Sequence, residues 1–375
     1  MKNLFLACLF LGSTFGYGAK ENKGLTKPKL QIGLVFPFSG SLSRFGDDLL
    51  KGFTLAHENL KKENPDLAAR VQFIVQDNKG LTSLTEASTL KLIKEQRVHI
   101  IFGGLTNFAS TSIADLAQHH KKPFISAAAN FHRSPQYDYA FNACLMKTNQ
   151  GQSLGNFAAQ YFPESRAVIV TEIDNPFSEK VSRDFIKSFG SSGGQVVGAF
   201  DYQAMEEAHD GLVLKIKEKN PDIVLLPGRF SDAKKIIAEA RMVGINVPFL
   251  GGDRWDDQKY RAQDLDTMAG NYYVSHFDAK EPRPEIAAFS KAYSKKHGTS
   301  PGVFAALGYD GFNVIIKAFM KADSNRSTVL RKALANLPCS VLNPSKNQLH
   351  AQSAGSGVVM KTTKKGPEFL TRMKF

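Results

Sequence analysis

Short apolar runs alternate with longer amphipathic stretches along the first part of the chain. The run Leu30–Phe36 has the continuous apolar character of a buried strand, and the residues from Asp47 to Lys62 have helical spacing. Further strands are predicted at 71–75, 99–102 and 123–126, with helices at 84–94 and 109–119 between them. Strands that alternate with helices of this length predict parallel βαβ units.

The same alternation restarts at Gln152, which predicts a second half of similar organisation. Its predicted helices are 152–161, 178–189, 211–219 and 232–243, and its predicted strands are 167–170, 195–199, 223–226 and 247–250. The last third is more helical, with predicted helices at 284–297, 303–321 and 327–336 and strand-like runs at 356–360 and 368–370. Because no low-complexity linker separates the halves, we expect the chain to cross between two lobes several times and form a hinge.

The first residues indicate export. Lys2 precedes the short apolar run Leu4–Leu11, and the small residues of Gly16–Ala19 suit cleavage after Ala19. A buried N-terminal helix is the alternative, but charged residues follow at once. A lipoprotein is rejected because only seven residues precede Cys8. No second long apolar run was found, so the mature chain is expected to be soluble and periplasmic.

Composition and charge narrow the range of partners. The 48 Lys and Arg against 35 Asp and Glu give 48 − 35 = +13, but the basic residues are scattered over helices, as at Lys61–Lys62 and Lys295–Lys296. Nucleic acid is therefore disfavoured, whereas an anionic membrane or cell-wall surface stays open. Cys144 and Cys339 remain after cleavage, and a disulfide and two free or buried thiols are equally open.

Four short motifs, in this order, carry a resemblance to a known family: Phe36–Gly40, Ile101–Gly104, Phe249–Trp255 and Gly308–Gly311, the last taken to open a late helix. Together they resemble the periplasmic branched-chain amino-acid-binding proteins, the receptor-like subunits of ATP-driven uptake systems. The resemblance covers nearly the whole mature chain. It implies an α/β fold of two doubly wound parallel-sheet lobes joined by a three-stranded hinge, the type I periplasmic binding protein fold, with the ligand in the cleft.

This fold divides the chain into a signal peptide and two lobes. Residues 1–19 form the signal peptide, residues 28–147 with 276–336 the N-terminal lobe, and residues 148–275 with 337–375 the C-terminal lobe. Ligand-facing loops are then expected at the carboxyl ends of the parallel strands, where open α/β sheets bind ligands. Helix N-termini at this edge offer backbone N–H groups and partial positive charge to a carboxylate.

The resemblance assigns polar contacts at both ends of the ligand. It implies that Asp253 binds the ligand ammonium, although an Asp at this place could instead cap a local turn. Asn107, beside Phe108 in a predicted turn, stands where the family commonly has a Ser or Thr hydroxyl for the carboxylate, a departure that weakens the case for an ordinary α-amino acid. Ala128 and Asn130 match the next ligand-facing loop, with a plain turn as the alternative.

Aromatic and basic residues complete the predicted site. The resemblance implies that Phe45, in the first loop, and Phe177, in the second lobe where a Tyr is more usual, pack on the ligand. Arg229 and Arg254 are extra positive charges beside pocket loops. They are either surface charges or recognise a second anionic group on the ligand, as a bidentate guanidinium can.

Catalytic, cofactor and metal signatures were not found. The sequence has no G-x-S-x-G, no phosphate loop and no G-x-G-x-x-G after Leu30–Phe36. The adjacent His119–His120 lacks the H-x-x-x-H spacing that shares a metal. The chain is therefore predicted not to be an enzyme and to use no cofactor or metal.

The sequence thus predicts an exported, monomeric solute-binding protein that captures a small amino-acid-like ligand and docks on a membrane ABC permease. The alternative is a soluble ligand-binding component of a periplasmic sensory or regulatory system, because fold alone does not distinguish transport from signalling. An exported α/β enzyme is a third hypothesis, which would need a catalytic constellation assembled in the cleft from distant residues.

Overall fold

The computed structural model describes residues 27–128, 137–143, 149–256, 264–337, 342 and 357–373. The predicted signal peptide and three residues named above, Asn130, Cys144 and Cys339, lie outside the described residues. All structural statements below concern the described part of the chain.

The first sheet contains five parallel strands in the order β2-β1-β3-β4-β5. The strands are β1 (Leu30–Phe36), β2 (Val71–Asp77), β3 (Ile100–Gly103), β4 (Phe124–Ser126) and β5 (Ala140–Asn142). The strand order changes direction between β1 and β3. In open parallel sheets, this reversal opens a crevice at the carboxyl ends of the strands, where ligands bind.

Helices cover both faces of the first sheet. They are α1 (Ser43–Glu63), α2 (Pro65–Ala68), α3 (Thr82–Lys94) and α4 (Asn107–His119), and later α10 (Pro284–His297), α11 (Val303–Ala322) and α12 (Ser327–Ala335). One core joins Leu34 and Phe102 to Phe312 of α11, and the core on the other face joins Val35 to Ile113. The late helices α10–α12 therefore belong to the first lobe, although the second lobe intervenes in the sequence.

The second sheet has the order β12-β11-β10-β9-β8-β6-β7. Its strands are β6 (Arg166–Glu172), β7 (Gln195–Tyr202), β8 (Ile223–Leu225), β9 (Phe249–Gly251), β10 (Tyr272–Ser275), β11 (Gly357–Thr363) and β12 (Gly366–Met373). Strands β6 to β10 are parallel and repeat the strand order of the first sheet, whereas β11 and β12 are antiparallel. The two halves thus share one topology, which confirms the predicted repetition.

Helices also flank the second sheet. They are α5 (Gln150–Tyr161), α6 (Pro176–Ser191), α7 (Asp210–Glu218), α8 (Phe230–Met242) and α9 (Leu265–Met268), with a short 3-10 helix at Asp253–Trp255. One core lies under α7 and α8 and the other under α5 and α6. The fold is therefore α/β with two doubly wound lobes, as predicted. The chain passes between the lobes three times; the residue boundaries assigned to the lobes stay a prediction.

Two glycines bring α1 and α11 into close contact. A Cβ on Gly52 would lie 1.9 Å from the carbonyl oxygen of Ala305, and one on Gly308 would lie 1.9 Å from that of Leu49. The motif Gly308–Gly311 was predicted to open a late helix, and this placement is wrong: it lies in the middle of α11. Gly308 is required by the close approach of α1 and α11, whereas a Cβ on Gly311 would lie 2.3 Å from the ring of Phe102.

The sequence was expected to contain no further long apolar run, but α11 is such a run. By length and composition alone it could cross a membrane. However, 67% of its most apolar window is buried inside the protein, where it packs against α1. These features are typical of a core helix in a globular lobe.

A buried ion cluster joins the lobes where the chain leaves β10. Glu281 is 3% exposed, and its carboxylate accepts hydrogen bonds from Arg372 of β12 at 2.7 and 2.8 Å. It also accepts from Nε of Arg283, just before α10, at 2.5 Å. Burial would raise the pKa of Glu281, but the two guanidinium groups outweigh burial and lower it. Glu281 therefore stays ionised and connects the second sheet to the first-lobe helices.

Candidate ligand-binding site

Asp253 begins the 3-10 helix that follows β9, at the carboxyl edge of the second sheet. Its side chain is 25% exposed, and its Oδ2 lies 2.8 Å from Nε2 of His276. Its backbone N–H donates to Oε1 of Gln150 at 2.8 Å. Burial would raise the pKa of Asp253, but hydrogen bonds from His276 and Gln150 and the nearby Arg254 lower it. This edge therefore carries a fixed, ionised and partly accessible carboxylate.

Phe177 and Arg254 lie beside this carboxylate. The guanidinium of Arg254 stacks over the Phe177 ring at 4.7 Å, and a Cβ on Gly252 would lie 3.0 Å from the same ring. The structure thus brings together three predicted residues, Phe177, Asp253 and Arg254. Their neighbours His276 and Gln150 were missed by the sequence analysis.

Phe177 lies outside the predicted helix 178–189, but the structure places it inside α6. It is the second residue of α6, after Pro176, and the carbonyl oxygen of the Asn175 side chain accepts hydrogen bonds from the backbone of Phe177 and Ser178 at 3.2 and 3.4 Å. Asn175 is an N-cap, and Pro is well suited to the first helical position. The helix therefore starts earlier than the apolar periodicity indicates.

Arg229 lies just before α8 and is paired with a buried carboxylate. Its side chain is 44% exposed, and its guanidinium lies 3.3 Å from Oε1 of Glu172, whose side chain is 1% exposed. Asn175 donates to the other oxygen of Glu172 at 2.6 Å. The sequence analysis predicted Arg229 but missed Glu172, at the end of β6. The charge of Arg229 is thus balanced within the protein.

Tyr202 lies near both this pair and Arg254. Its hydroxyl is buried close to Gly228, where a Cβ would lie 1.8 Å from the hydroxyl oxygen. Burial raises the pKa of Tyr202, and the nearby Glu172 raises it further, whereas Arg229 and Arg254 act in the opposite direction. The phenol therefore stays neutral, and charged groups from several strand ends surround it.

In the first lobe, Asn107 and Phe108 are the first two residues of α4 rather than part of a turn, so that the predicted turn is wrong. The Thr106 side chain accepts a hydrogen bond from the backbone N–H of Ala109 at 3.2 Å and caps the helix. Asn107 is exposed, and Phe108 is 79% exposed. The N-terminus of this 13-residue helix offers partial positive charge beside an apolar ring.

Ala128 follows β4 and is 8% exposed. Its backbone N–H donates to the carbonyl of Gly104 at 3.3 Å, so that this predicted donor is already engaged within the lobe. Behind it, the hydroxyls of Ser110 and Ser126 share a buried hydrogen bond of 2.8 Å. Asn130, predicted in the same loop, lies outside the described residues.

Phe45 lies in the first turn of α1, not in the preceding loop as predicted. Its ring is 4.6 Å from that of Phe304 at the start of α11, and the guanidinium of Arg44 lies 4.4 Å above it. Phe45 is thus half-buried by contacts within the first lobe.

The candidates form two groups, one at the carboxyl edge of each sheet. They follow β1, β3 and β4 in the first lobe and β6, β8 and β9 in the second, which are equivalent places in the shared strand order. Within the described residues, no hydrogen bond, ion pair or ring contact joins the two groups of candidates. In the same part of the chain, no group of three His, Cys, Asp or Glu side chains could hold a metal ion.

Comparison with known proteins identifies the family. The family model for the periplasmic binding protein matches residues 29–355, which is most of the chain. The chain belongs to this family. A relative of this periplasmic binding protein is the leucine-, isoleucine-, valine-, threonine- and alanine-binding protein of Pseudomonas aeruginosa, 21% identical over 295 residues, which are 78% of each chain.

Solved structures show the same fold. A leucine-binding protein from Thermotoga maritima is 22% identical with a TM-score of 0.72, and the alignment covers 92% of this periplasmic binding protein and 99% of the other chain. A solute-binding protein from Rhodopseudomonas palustris, solved with 3,4-dihydroxybenzoic acid, has a TM-score of 0.72 at 20% identity and coverage of 92% and 97%. This fold therefore accommodates both an amino acid and an aromatic acid in different proteins, and the family is one of solute-binding proteins rather than enzymes.

Proposed function

We propose that this periplasmic binding protein captures a small amino-acid-like ligand in the cleft between its lobes and delivers it to a membrane ABC importer. Closure of the lobes would follow from a ligand that contacts both edges, because such a ligand stabilises the closed state more than the open state. The family supports the solute-binding role, and the two groups of candidate residues support the placement of the ligand.

The observation that carries the proposal is the carboxylate of Asp253. It is ionised, held by His276 and Gln150, and a quarter exposed at the carboxyl edge of the second sheet. A fixed carboxylate accepts strong charge-assisted hydrogen bonds from an ammonium group. It would repel a ligand that carries only a carboxylate, which favours an amino-acid-like ligand over a simple aromatic acid.

The carboxylate end of the ligand is assigned to the N-terminus of α4. Its first backbone N–H groups and the exposed amide of Asn107 can donate to an anion, and the helix dipole favours negative charge there. Phe108 and Phe177, one on each lobe, would contact the apolar part of the ligand. A role in ligand contact would account for the exposure of Phe108, which is 79% exposed.

The site of action and the partner follow from the family and the N-terminus. We infer that the chain is exported, with cleavage after Ala19, and that it acts in the periplasm as a monomer. Its partner would be an ABC permease that accepts the closed, loaded form.

The only tryptophan offers a direct test. Trp255 is 2% exposed, lies two residues after Asp253, and packs so close to Gly251 that a Cβ there would touch its ring at 2.2 Å. Ligand binding should therefore change its fluorescence. We expect at least one amino acid from a panel to give a calorimetric signal, a fluorescence change and compaction in solution scattering.

Asp253→Asn should abolish or strongly weaken this binding. Asp266→Asn is the matched control, because the Asp266 side chain is 87% exposed and its carboxylate lies 3.4 Å from Nζ of Lys364. The proposal would be overturned if the wild-type protein bound none of the amino acids, short amides and small peptides tested. Equal losses in both variants would show that Asp253 has no specific role.

A further inference from the structure

His276 occupies the edge position next to Asp253. It directly follows β10, which pairs in parallel with β9, and Asp253 lies two residues beyond the end of β9. The two side chains therefore emerge from the carboxyl ends of adjacent strands. His276 is 5% exposed, and its Nε2 lies 2.8 Å from Oδ2 of Asp253.

The chemistry of this contact fixes the role of each group. An ionised carboxylate only accepts hydrogen bonds, so Nε2 of His276 must carry the hydrogen. The side-chain oxygen of Gln150 accepts a hydrogen bond from the backbone N–H of Asp253 at 2.8 Å. Asp253 is thus oriented from two sides, by the end of β10 and by the start of α5.

The charge of this arrangement depends on His276. With a neutral imidazole, the pair carries one negative charge, and the exposed part of Asp253 can still accept from a cation. With a protonated imidazole, the pair is neutral and an incoming ammonium meets a positive charge nearby. Histidine is the side chain that normally changes charge between about pH 5 and pH 8.

We propose that His276 is a positioning residue for Asp253 and that its protonation weakens the capture of a ligand that carries an ammonium group. This inference rests on the proposed function, because it takes Asp253 as the ammonium acceptor. Binding of the ligand and binding of the proton are then coupled. Ligand binding releases a proton from His276, and acid weakens ligand binding.

Further charged residues lie on the elements that carry this pair. Those on the neighbouring turn and on the segment that leaves β10 are Arg254, Asp256, Asp278 and Glu281. Asp256 accepts a hydrogen bond from Ser275, the residue before His276, and Glu281 is neutralised by its two arginines.

The test uses leucine as the ammonium-bearing probe and 4-methylpentanoate, which lacks only the amino group, as its partner. Free leucine keeps both charges between about pH 5.5 and pH 8, whereas a histidine does not. We expect the Kd for leucine to rise about tenfold from pH 8 to pH 5.5, within the usual range for coupled sites. The Kd for 4-methylpentanoate should not rise. Calorimetry in buffers of different ionisation enthalpy should show that leucine binding releases protons near pH 6.

His276→Gln provides the matched variant, since its amide nitrogen can replace Nε2 as a donor but does not titrate. Circular dichroism and a thermal melt establish that this variant is folded. In the folded variant, we expect leucine affinity to become independent of pH and proton release to disappear. Should His276→Gln not fold, proton release in the wild-type protein and its loss in Asp253→Asn test the same coupling. Leucine binding without pH dependence or proton release in the wild-type protein would overturn this inference alone. Absence of binding at every pH by leucine and by every other amino acid of the panel would contradict the proposed ammonium site as well.

Discussion

The two lobes share one strand order but present different chemistry at equivalent edges. In the first lobe, the predicted ligand contacts are neutral: Phe45, Asn107, Phe108 and Ala128. In the second lobe, Phe177 is neutral, but Arg229 and Asp253 are charged and already paired within the protein, with Glu172 and His276 respectively. The shared strand order therefore places the candidate contact residues at equivalent positions but does not determine their chemical type.

This difference has an electrostatic cause. The neutral edge relies on the N-terminus of α4, whose partial charge is a property of the backbone and needs no charged side chain. The second edge relies on carboxylates that would be costly to bury without partners. The partners are Arg229 and Asn175 for Glu172, and His276 and Gln150 for Asp253. On the proposed function, the second lobe sets the charge of the ligand.

The largest expected effect concerns the cluster through which the two lobes are joined. Arg372→Met leaves the carboxylate of Glu281 buried, with Arg283 as its remaining cationic partner among the described residues. Breaking a buried ion pair in this way costs about 3–5 kcal/mol. We expect a loss of about 3 kcal/mol in the free energy of unfolding, measured in urea by Trp255 fluorescence and circular dichroism.

Arg372→Lys is the matched control, because it keeps the charge but loses the bidentate geometry, and it should lose less stability. A loss below about 1 kcal/mol in Arg372→Met would be typical of a surface pair and would contradict the role assigned to the cluster.

The helix caps offer a sharper comparison between the lobes. Thr106 caps α4 and Asn175 caps α6, but Asn175 also donates to the buried Glu172 at 2.6 Å. Removing a cap costs about 1 kcal/mol, and an unsatisfied buried group costs about 1–3 kcal/mol more. Thermal unfolding should therefore show a larger loss for Asn175→Ala than for Thr106→Ala. Equal losses would mean that Glu172 does not depend on Asn175.

A comparison of ligands with different charge tests the proposed contacts of the second lobe. The hypothesis of a second anionic group on the ligand stays a prediction, but Glu172 already balances Arg229. We therefore expect the wild-type protein to prefer leucine over glutamate. Glu172→Gln should improve glutamate binding about fivefold, because a charged hydrogen bond becomes available to the ligand. Calorimetry decides, and a wild-type preference for glutamate would favour the anionic hypothesis instead.

The smallest effect is the acid sensitivity of the joint at Glu281. The pKa of Glu281 is lowered in the folded protein by its two arginines, despite burial. Its contribution to stability is therefore complete above the ordinary glutamate pKa of about 4.3 and is lost as the pH falls through the lower folded value. Unfolding of Glu281→Gln from pH 7 downwards should lack this component. Identical pH profiles for the variant and the wild-type protein would contradict it.

Much of the fold could be predicted from the sequence, because buried parallel strands are continuous apolar runs. The run Leu30–Phe36 has the same bounds as β1. The starts of helices were predicted late, as at α1 and α6, since apolar periodicity begins only where a helix first faces the core. The caps Thr106 and Asn175 are the signals that could have placed Asn107 and Phe177 in first helical turns.

The candidate site was predictable only in part. The resemblance supplied the position of Asp253, but β10 (Tyr272–Ser275) was not predicted. Without that strand, nothing places His276 beside Asp253. The pairing of Glu172 with Arg229 was also missed, because partners that lie at adjacent strand ends are distant in the sequence.

The central claim is that Asp253 binds a ligand ammonium, and one calorimetric comparison tests it most directly. Leucine and 4-methylpentanoate are each titrated into the wild-type protein and into Asp253→Asn near pH 8. Because a hydrogen bond to a charged group contributes about 1.5–3 kcal/mol, the substitution should weaken leucine about 10-fold to 100-fold. It should leave 4-methylpentanoate unchanged or bound more tightly. Equal losses for both ligands, or no loss for leucine, would contradict the account.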